Sequence, residues 1–470
     1  MSSWTLKSAK TSVEEVFERA FAGTALLLAL TGAFALPAAQ DKTPPSYDKY
    51  VVAIDDADAG DAGWMKVANA LKEKHQAEVI TFKYENEGLL KLLEDFRARR
   101  PKYVCFVLSP EKAGRSFIAA AYRMMRLIDD DPYGDAIWSV VTGYCPEDAL
   151  KSVTARPGTV RSGATSMGGP NALDGYESGF ASSETSENDF WMKRKGGSTE
   201  KIPTDGSPAK TLAMAFNTMP IDYFVTSGHA RERNWQIVYN KNKGTLVHTE
   251  DAQLQFVEPG GQERYALTNA SLRVYIGAGN CLIGHVDARA CMATAWMHAG
   301  GVEQFAGYTV PSWYGFMGWG VKGIFEQGRY SLAEARFLEN ERLNWVRNKK
   351  HSAMDTKGLD YDRDTFAIYG DPAQRIMFPK DTTPYNITVS GEKVEIEFTR
   401  ECKFADASDA RGARPVMALL DATPPGNTLF DKDGKEVEDA VVTERFILIP
   451  APGQHKPGEK LSYKIGCKMP

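Results

Sequence analysis

The chain has 470 residues, of which 43% are hydrophobic, 25% charged and 11% aromatic, so the collagen, coiled-coil and disordered classes are excluded. A chain of this length predicts about three folding units. With 56 basic and 61 acidic residues the formal net charge is −5. Such a chain has no field that would attract a phosphate backbone, and we expect no nucleic-acid partner.

An uncharged apolar segment near the N-terminus, Ala20 to Leu36, ends in an Ala-Phe-Ala pattern suited to signal peptidase. It is short for a membrane-spanning helix, and a Pro-rich stretch follows it. We interpret residues 1–39 as a signal peptide and the start of a linker, which predicts a secreted, periplasmic or cell-surface protein with no other membrane segment. A retained anchor and a buried core helix are the alternatives, because three glutamates offset the basic residues before the segment.

Short apolar runs alternate with helix-period stretches over residues 45–160, which is typical of an α/β unit with a parallel sheet. The predicted strands are 49–54, 78–82, 102–108 and 136–142, and the predicted helices are 63–75, 86–99 and 117–128. Residues 161–205 are rich in Gly, Ser, Thr and Asn, which predicts a long exposed connection. The N-terminal α/β subdomain is therefore expected to end near residue 160.

The α/β pattern resumes over residues 206–383 and then gives way to strict alternation. Strands are predicted at 221–228, 272–279, 303–310 and 365–370, and helices at 287–299 and 331–347. In residues 384–470, Val394, Ile396 and Phe398 alternate with glutamates, and Asp433-Gly434 is a hairpin signal. We expect a small β-sandwich there. Its two cysteines, Cys402 and Cys467, either form a disulfide in an exported protein or remain buried thiols.

Two predicted strands end in residues that can act together chemically. One leads through Thr-Ser-Gly into His229, and another leads through Gly-Ala-Gly-Asn into Cys281. Because the carboxyl ends of parallel strands meet at one edge of a sheet, we expect both side chains in one crevice. An imidazole can take the thiol proton and leave the thiolate that attacks a peptide carbonyl. The small residues beside them leave room for a substrate backbone and for N–H groups facing an oxyanion.

The order and spacing of these motifs resemble the caspase-like cysteine peptidases, in which a histidine precedes the cysteine by roughly 50 residues. Here 52 positions separate His229 from Cys281. Within that clan the gingipain family is the most similar. Three further segments support the resemblance: Ala290-Cys291-Met292, Pro311-Ser312-Trp313 and Tyr369-Gly370-Asp371-Pro372.

The resemblance implies a fold and a set of roles. The fold is a two-part caspase-like α/β region, with its catalytic subdomain at 206–383, followed by an immunoglobulin-like β-sandwich at 384–470. Cys281 is the expected nucleophile, His229 the general base and Asp135 the carboxylate that orients the histidine. The expected oxyanion donors are N–H groups of Gly228, Ala230 and Cys281, and the expected substrate pocket includes Trp313, Ser312 and Asn280. Glu147 and Asp148 stand where the family can place a specificity acid, although surface charge is the simpler interpretation.

The aromatic segment from Trp313 to Trp319 is interrupted by glycines, which favours a pocket-shaping loop over a core ridge. A zinc interpretation of Cys281, His285, Asp287, Cys291 and His298 fits no common spacing. The family also holds structural calcium, but no loop here matches a calcium-binding pattern. The sequence therefore predicts no metal and no required cofactor.

The predicted function is an exported cysteine endopeptidase with a polypeptide substrate. Two departures from the family pattern leave an alternative. Ala230 stands where the family has Gly, and Val141-Thr142-Gly143-Tyr144 replaces a Gly-Arg pair. The alternative is an inactive protein that binds peptides or proteins in the same crevice. A third class, a cell-surface adhesion module, leaves the spacing of His229 and Cys281 unexplained.

Overall fold

The computed structural model describes residues 49–269, 271–412 and 414–467. The predicted signal segment lies outside the described residues. Among the helices that are described, none combines the length and the apolar character needed to cross a membrane.

Residues 50–154 alternate strands and helices, as the sequence predicted. The strands are β1 (Tyr50–Asp55), β2 (Glu78–Phe82), β3 (Tyr103–Val107) and β4 (Ile137–Val141), and the helices are α1 (Asp56–Ala59), α2 (Ala62–His75), α3 (Asn86–Arg99), α4 (Arg115–Met125) and α5 (Pro146–Thr154). The strands pair in parallel in the order β2-β1-β3-β4. Apolar side chains from both faces of this sheet are buried, which explains why its strands read as nearly continuous hydrophobic runs.

The second α/β region begins with α6 (Pro208–Thr218). Its strands are β10 (Tyr223–Thr226), β16 (Val274–Gly277), β17 (Gln304–Tyr308) and β18 (Phe366–Tyr369), and its other helices are α7 (Met292–His298), α8 (Phe316–Glu326), α9 (Leu332–Arg347) and α10 (Ala353–Asp362). β10, β16 and β17 pair in parallel, whereas β17 and β18 are antiparallel. Because β18 also pairs in parallel with β4, the two regions share one twelve-stranded sheet that is mostly parallel.

The antiparallel step between β17 and β18 reverses the strand direction across the sheet. β1, β3 and β4 end at one edge, and β10, β16 and β17 end at the opposite edge. We call these the first edge and the second edge. Loops that follow β4 and loops that follow β16 therefore lie on opposite sides of the sheet.

The prediction of an exposed connection at 161–205 is wrong. This segment holds β6 (Ser162–Thr165), a 3₁₀ turn (Pro170–Leu173), β7 (Ser178–Ser182), β8 (Phe190–Lys193) and β9 (Thr199–Lys201), which extend the sheet in the order β10-β6-β7-β8-β9. Small residues are needed here because the backbones approach closely. A Cβ added at Gly179 would lie only 1.9 Å from the carbonyl oxygen of Gly163. The composition that suggested a loop thus reflects tight strand packing.

A second sheet, which the sequence did not predict, lies in the chain between the two motif residues. Its strands are β11 (Ala230–Arg231), β12 (Asn234–Gln236), β13 (Thr245–His248), β14 (Leu254–Val257) and β15 (Arg264–Ala266), all antiparallel and in chain order. Each strand has two to four residues, too few for a hydrophobic period to stand out in the sequence. The short strands β5 (Gly158–Thr159) and β19 (Ile376–Met377) pair with each other elsewhere.

Residues 385–466 form antiparallel strands around a separate apolar cluster. These are β20 (Tyr385–Ser390), β21 (Lys393–Phe398), β22 (Cys402–Phe404), β23 (Val416–Leu419), β24 (Thr428–Phe430), β25 (Val441–Val442), β26 (Phe446–Ile449), β27 (Gly453–His455) and β28 (Lys460–Gly466). They make sheets of four, three and two strands. The all-β character agrees with the sequence, whereas the immunoglobulin-like assignment stays a prediction. Cys402 and Cys467 are both free thiols.

The close approach of β6 and β7 predicts that Gly179→Ala is destabilising. The methyl group would meet backbone that cannot rotate away, so we expect a loss of about 1–3 kcal/mol in the free energy of unfolding, measured by urea denaturation. Gly169→Ala is the matched control, because a Cβ there has no neighbour within 4 Å. Equal stability of the two variants would contradict this account of the segment.

Candidate functional site

The pairing of β10 with β16 places His229 and Cys281 at the second edge of the sheet. Thr226 at the end of β10 is in register with Gly277 at the end of β16, and Ala278 N–H continues the pairing by donating to the Thr226 carbonyl at 2.9 Å. The chain leaves both strands at the same level. His229 and Cys281 accordingly line a single cleft of 410 Å³. The sequence analysis expected this placement.

The chain turns sharply just after Cys281. Leu282 has a left-handed φ of 56°, and its N–H donates to the carbonyl of Val310 at 3.0 Å. Gly284 N–H then donates to the Tyr308 carbonyl at 2.9 Å, so the segment after the thiol is held against the end of β17. The helix predicted at 287–299 begins only at Met292, as α7. Cys281 is therefore on a fixed turn and does not begin a helix.

A hydrogen-bond donor faces the sulfur of Cys281. The backbone N–H of Ser312 donates to its Sγ at 3.3 Å. The Ser312 hydroxyl lies 3.7 Å from the same Sγ and hydrogen-bonds to the Gly279 carbonyl at 2.9 Å. Ser312, predicted as a pocket residue, thus contacts the expected nucleophile itself.

Asn280 holds the two loops together. Its side chain is fully buried, which makes it unsuitable as the pocket-lining residue that the sequence predicted. The Asn280 amide donates to the Gly228 carbonyl at 3.0 Å, and its Oδ1 accepts from the Thr226 hydroxyl at 2.5 Å. One side chain therefore ties the loop before His229 to the loop that carries Cys281.

Glu184 lies beside His229, and the sequence analysis missed it. A Cβ added at Gly228 would lie 3.3 Å from Glu184 Oε2, and Tyr239 N–H donates to the Glu184 carbonyl at 3.1 Å. The Tyr239 ring packs edge-on against the His229 ring, with centroids 4.7 Å apart. Burial raises the pKa of Glu184, while the Ser227 hydroxyl and the nearby His229 oppose that rise. The residue follows β7, inside the segment interpreted as a connection, so the sequence analysis did not look there for a carboxylate.

Asp135 is not placed near His229. It precedes β4, and three strands separate β4 from β10, which amounts to about 19 Å across the sheet. Its neighbours are Asp129, Asp131 and Arg100. Burial, reinforced by the neighbouring acidic groups, raises the pKa of Asp135 to about 9, so it is protonated at neutral pH. Asp135 is therefore too far from His229 to orient it, which corrects the prediction.

Backbone donors are available at the cleft. Within the described ranges, the N–H groups of Gly228 and Cys281 donate to no other group. Gly228 has a left-handed φ of 84°, which its lack of a side chain permits. Ala230 starts β11, where it is buried and in register with Trp235, and it lines the cleft as well. The extra methyl group at Ala230 thus fits the local packing.

A second cavity of 570 Å³ is lined in part by Trp319, Met167 and Tyr176, and it shares no lining residue with the cleft. Trp319 also reaches toward the turn, because a Cβ at Gly279 would lie 3.4 Å from its ring. Trp313, which the sequence predicted to line the substrate pocket, instead packs against the rings of Tyr314 and Tyr361, with centroids 5.6 and 5.7 Å away. Trp319 is therefore the tryptophan that lines the cavity.

The aromatic segment is helical from Phe316 onward, which corrects that part of the predicted loop. Residues 316–326 form α8, and its glycines allow a close approach to neighbouring elements. A Cβ at Gly318 would lie 2.1 Å from the carbonyl oxygen of Ala278, and one at Gly320 would meet Glu339 at 1.8 Å. These glycines thus let a helix pack directly against the loop that carries Cys281.

The predicted specificity acids follow β4 and lie at the first edge, away from the cleft. Glu147 is exposed. Asp148 contacts His298 Nδ1 at 2.9 Å and the Cys145 thiol at 3.4 Å. The chain therefore has two cysteine–histidine groupings, one at each edge of the sheet.

Comparisons with known proteins add little. No protein-family model matches the chain, and no curated protein matches it. Among solved structures, the crystal structure of the Arg-specific cysteine proteinase gingipain R (RGPB) matches with 12% identity over 90% of this chain and 100% of the other, at a TM-score of 0.46. A likeness at that score does not establish a shared fold. The observation that supports a site here is that His229 and Cys281 line one cleft.

The buried Asn280 bridge predicts that Asn280→Ala destabilises the protein. The Gly228 carbonyl would lose its donor and the Thr226 hydroxyl an acceptor, so we expect a loss of about 1–3 kcal/mol in the free energy of unfolding. Asn234→Ala is the control, because Asn234 lines the same cleft at a half-buried position. The urea denaturation midpoints of the two variants are compared with that of the unmodified protein. An unchanged midpoint for Asn280→Ala would show that the Asn280 side chain does not hold the two loops together.

Proposed function

We propose that the protein is a cysteine endopeptidase that hydrolyses polypeptides, with Cys281 as nucleophile and His229 as general base. The observation that supports this most strongly is the arrangement at the second edge. Two loops, set by one pair of parallel strands, bring an imidazole and a thiol to one cleft. The Ser312 N–H donates to the Cys281 sulfur and so fixes the position of that sulfur in the cleft.

The reaction begins with transfer of the Cys281 thiol proton to His229. The thiolate then attacks the peptide carbonyl carbon, and the carbonyl oxygen becomes an oxyanion that the N–H groups of Cys281 and Gly228 stabilise. His229 returns the proton to the leaving amine as the C–N bond breaks, which leaves an acyl-enzyme. Water, deprotonated by His229, hydrolyses the thioester and restores the thiol.

Glu184 acts through His229 as a positioning residue. Its carboxylate, next to the imidazole and largely out of water, favours the imidazolium that forms during the reaction. The 570 Å³ cavity beside Trp319 accommodates a substrate side chain next to the scissile bond. The edge of the small sheet at Arg231, Asn234 and Gln236 lines the cleft and contacts the substrate on the other side.

Export of the enzyme belongs to the same proposal. It is supported by the apolar segment at residues 20–36 and by the Ala-Phe-Ala pattern within it. The expected location is secreted, periplasmic or on the cell surface.

Cys281→Ala is expected to reduce hydrolysis of a denatured protein substrate by about 10⁴-fold or more, because no other group can form the acyl-enzyme. Labelling by a thiol-directed affinity probe should disappear with it. Cys467→Ser, which removes an exposed thiol remote from the cleft, should leave both unchanged. Hydrolysis that survives Cys281→Ala excludes this residue as nucleophile. Selective labelling without hydrolysis in the unmodified protein would favour the peptide-binding alternative.

Glu184→Gln is expected to lower kcat by about 10²-fold, toward the lower end of the effect of a general base. Because burial raises the pKa of Glu184, its carboxylate takes up a proton at a higher pH than an exposed glutamate does. Activity should therefore fall as the pH drops through that titration, and this limb of the pH–rate profile should disappear in the variant. Glu187→Gln is the control, since Glu187 binds surface lysines Lys241 and Lys243. An unaltered pH profile for Glu184→Gln would remove the residue from the mechanism.

A further inference from the structure

The first edge of the sheet carries a cysteine, a histidine and a carboxylate that the proposed peptidase reaction does not use. Cys145 and Asp148 come from the start of α5, which follows β4. His298 comes from the last turn of α7, which precedes β17. One ligand atom from each residue lies within 4.8 Å of the corresponding atoms of the other two.

The local structure fixes these side chains before any ligand arrives. Cys145 is the N-cap of α5, and its backbone N–H donates to Asp148 Oδ2 at 3.3 Å. His298 Nδ1 lies 3.0 and 2.9 Å from the two oxygens of Asp148, and its ring packs at 5.0 Å against the ring of Tyr144. The Tyr144 carbonyl in turn accepts from Arg289 Nε at 2.9 Å. The three ligands are therefore held on two separate helices.

Their separations suit a tetrahedral metal ion. Zinc bonds of about 2.3 Å to sulfur and about 2.0–2.1 Å to nitrogen and oxygen place neighbouring ligand atoms roughly 3.3–3.5 Å apart in a tetrahedron. The Cys145 Sγ to Asp148 Oδ2 distance is 3.4 Å. The His298 Nδ1 to Asp148 Oδ2 distance is 2.9 Å, and the ligand atoms of Cys145 and His298 lie within 4.8 Å of each other. Movements of these side chains by roughly 1 Å bring all three ligand atoms to tetrahedral separations.

The chemistry of the donors favours a cation over a second catalytic pair. The Asp148 carboxylate contacts both of the other candidate ligands, the Cys145 thiol at 3.4 Å and His298 Nδ1 at 2.9 Å. Thiolate, imidazole and carboxylate together are the ligand set that Zn²⁺ prefers in proteins.

We propose that Cys145, Asp148 and His298 form a Zn²⁺ site that links α5 to α7, with water as the fourth ligand. Binding displaces the thiol proton of Cys145 to solvent and replaces the hydrogen bond between Asp148 and His298 with two metal–ligand bonds. This departs from the expectation that the chain holds no metal. It does not depend on peptidase activity.

The position of the site gives the ion a structural role. The two regions of the sheet meet between β4 and β18, where the register holds a single pair, Val140 with Tyr369. Gly370 N–H adds a hydrogen bond of 2.9 Å to the Val140 carbonyl. An ion that joins α5 of one region to α7 of the other crosses this narrow junction. The stretch that carries Cys281 leads directly into α7, so the ion also steadies that loop from its far end.

Cobalt binding and thermal unfolding test the proposal. All samples in these experiments carry Cys281→Ala, so that the cleft supplies no thiolate. A chelator removes bound metal from each sample before the measurement. Titration with Co²⁺ should saturate at one equivalent of metal. The bound cobalt should show the visible absorption of a tetrahedral site and a thiolate charge-transfer band. Zn²⁺ at about 100 times its Kd should lower the equilibrium constant for unfolding about 100-fold, seen as a rise in Tm that the chelator reverses.

Two variants and two controls decide the outcome. Cys145→Ser should abolish the charge-transfer band and the zinc-dependent rise in Tm, and His298→Asn should weaken Co²⁺ binding by about tenfold or more. Cys467→Ser and His351→Asn, which remove a thiol and an imidazole elsewhere, should change neither. Circular dichroism of the metal-free variants shows that they are folded. Binding of no cobalt, or a band and a Tm shift that persist in folded Cys145→Ser, would overturn the proposal.

Discussion

The parallel pairing of β10 with β16 is the constraint on which the site depends. The register of this pair makes the two strands end side by side. The residues that follow each strand therefore reach the same cleft. Asn280 converts that proximity into a fixed geometry, because its buried amide bonds to the Gly228 carbonyl on one side and Thr226 on the other. Residues that lie 52 positions apart in the chain are thus held together by backbone pairing and one side chain.

The reversal of strand direction at β17 and β18 decides which carboxylates can take part. It places the loop directly after β4 at the first edge, so Asp148 cannot reach the cleft. Asp135 precedes β4 and is at the second edge, yet three strands separate β4 from β10. Glu184, the positioning residue proposed above, follows β7, and only β6 separates β7 from β10. The order of strands in the sheet therefore decides which carboxylate lies near His229, and the order along the chain alone does not reveal it.

The sequence predicted those elements whose local pattern and burial coincide. Apolar runs such as 49–54 and 102–108 became buried strands, and the strand ends that carry His229 and Cys281 were found because a hydrophobic block precedes each. Prediction from the sequence was wrong where close packing of backbones, and not a loop, accounts for a glycine-rich composition. Glycines that suggested a loop at 161–205 and in the segment from Trp313 to Trp319 are present because a backbone or a helix approaches closely there. Pairing between distant strands has no local signal, so the shared sheet and Glu184 could not be predicted.

The two cysteine–histidine groupings show how surroundings decide what a thiol does. Both are set at strand ends of the same sheet, and each brings a carboxylate near an imidazole. Cys281 lines an open cleft, where the Ser312 N–H donates to its sulfur. Cys145 instead contacts the Asp148 carboxylate, which also contacts His298. The two proposed roles follow from this difference: a thiol in an open cleft can reach a substrate carbonyl, whereas three ligand atoms within 4.8 Å of one another can hold a metal ion.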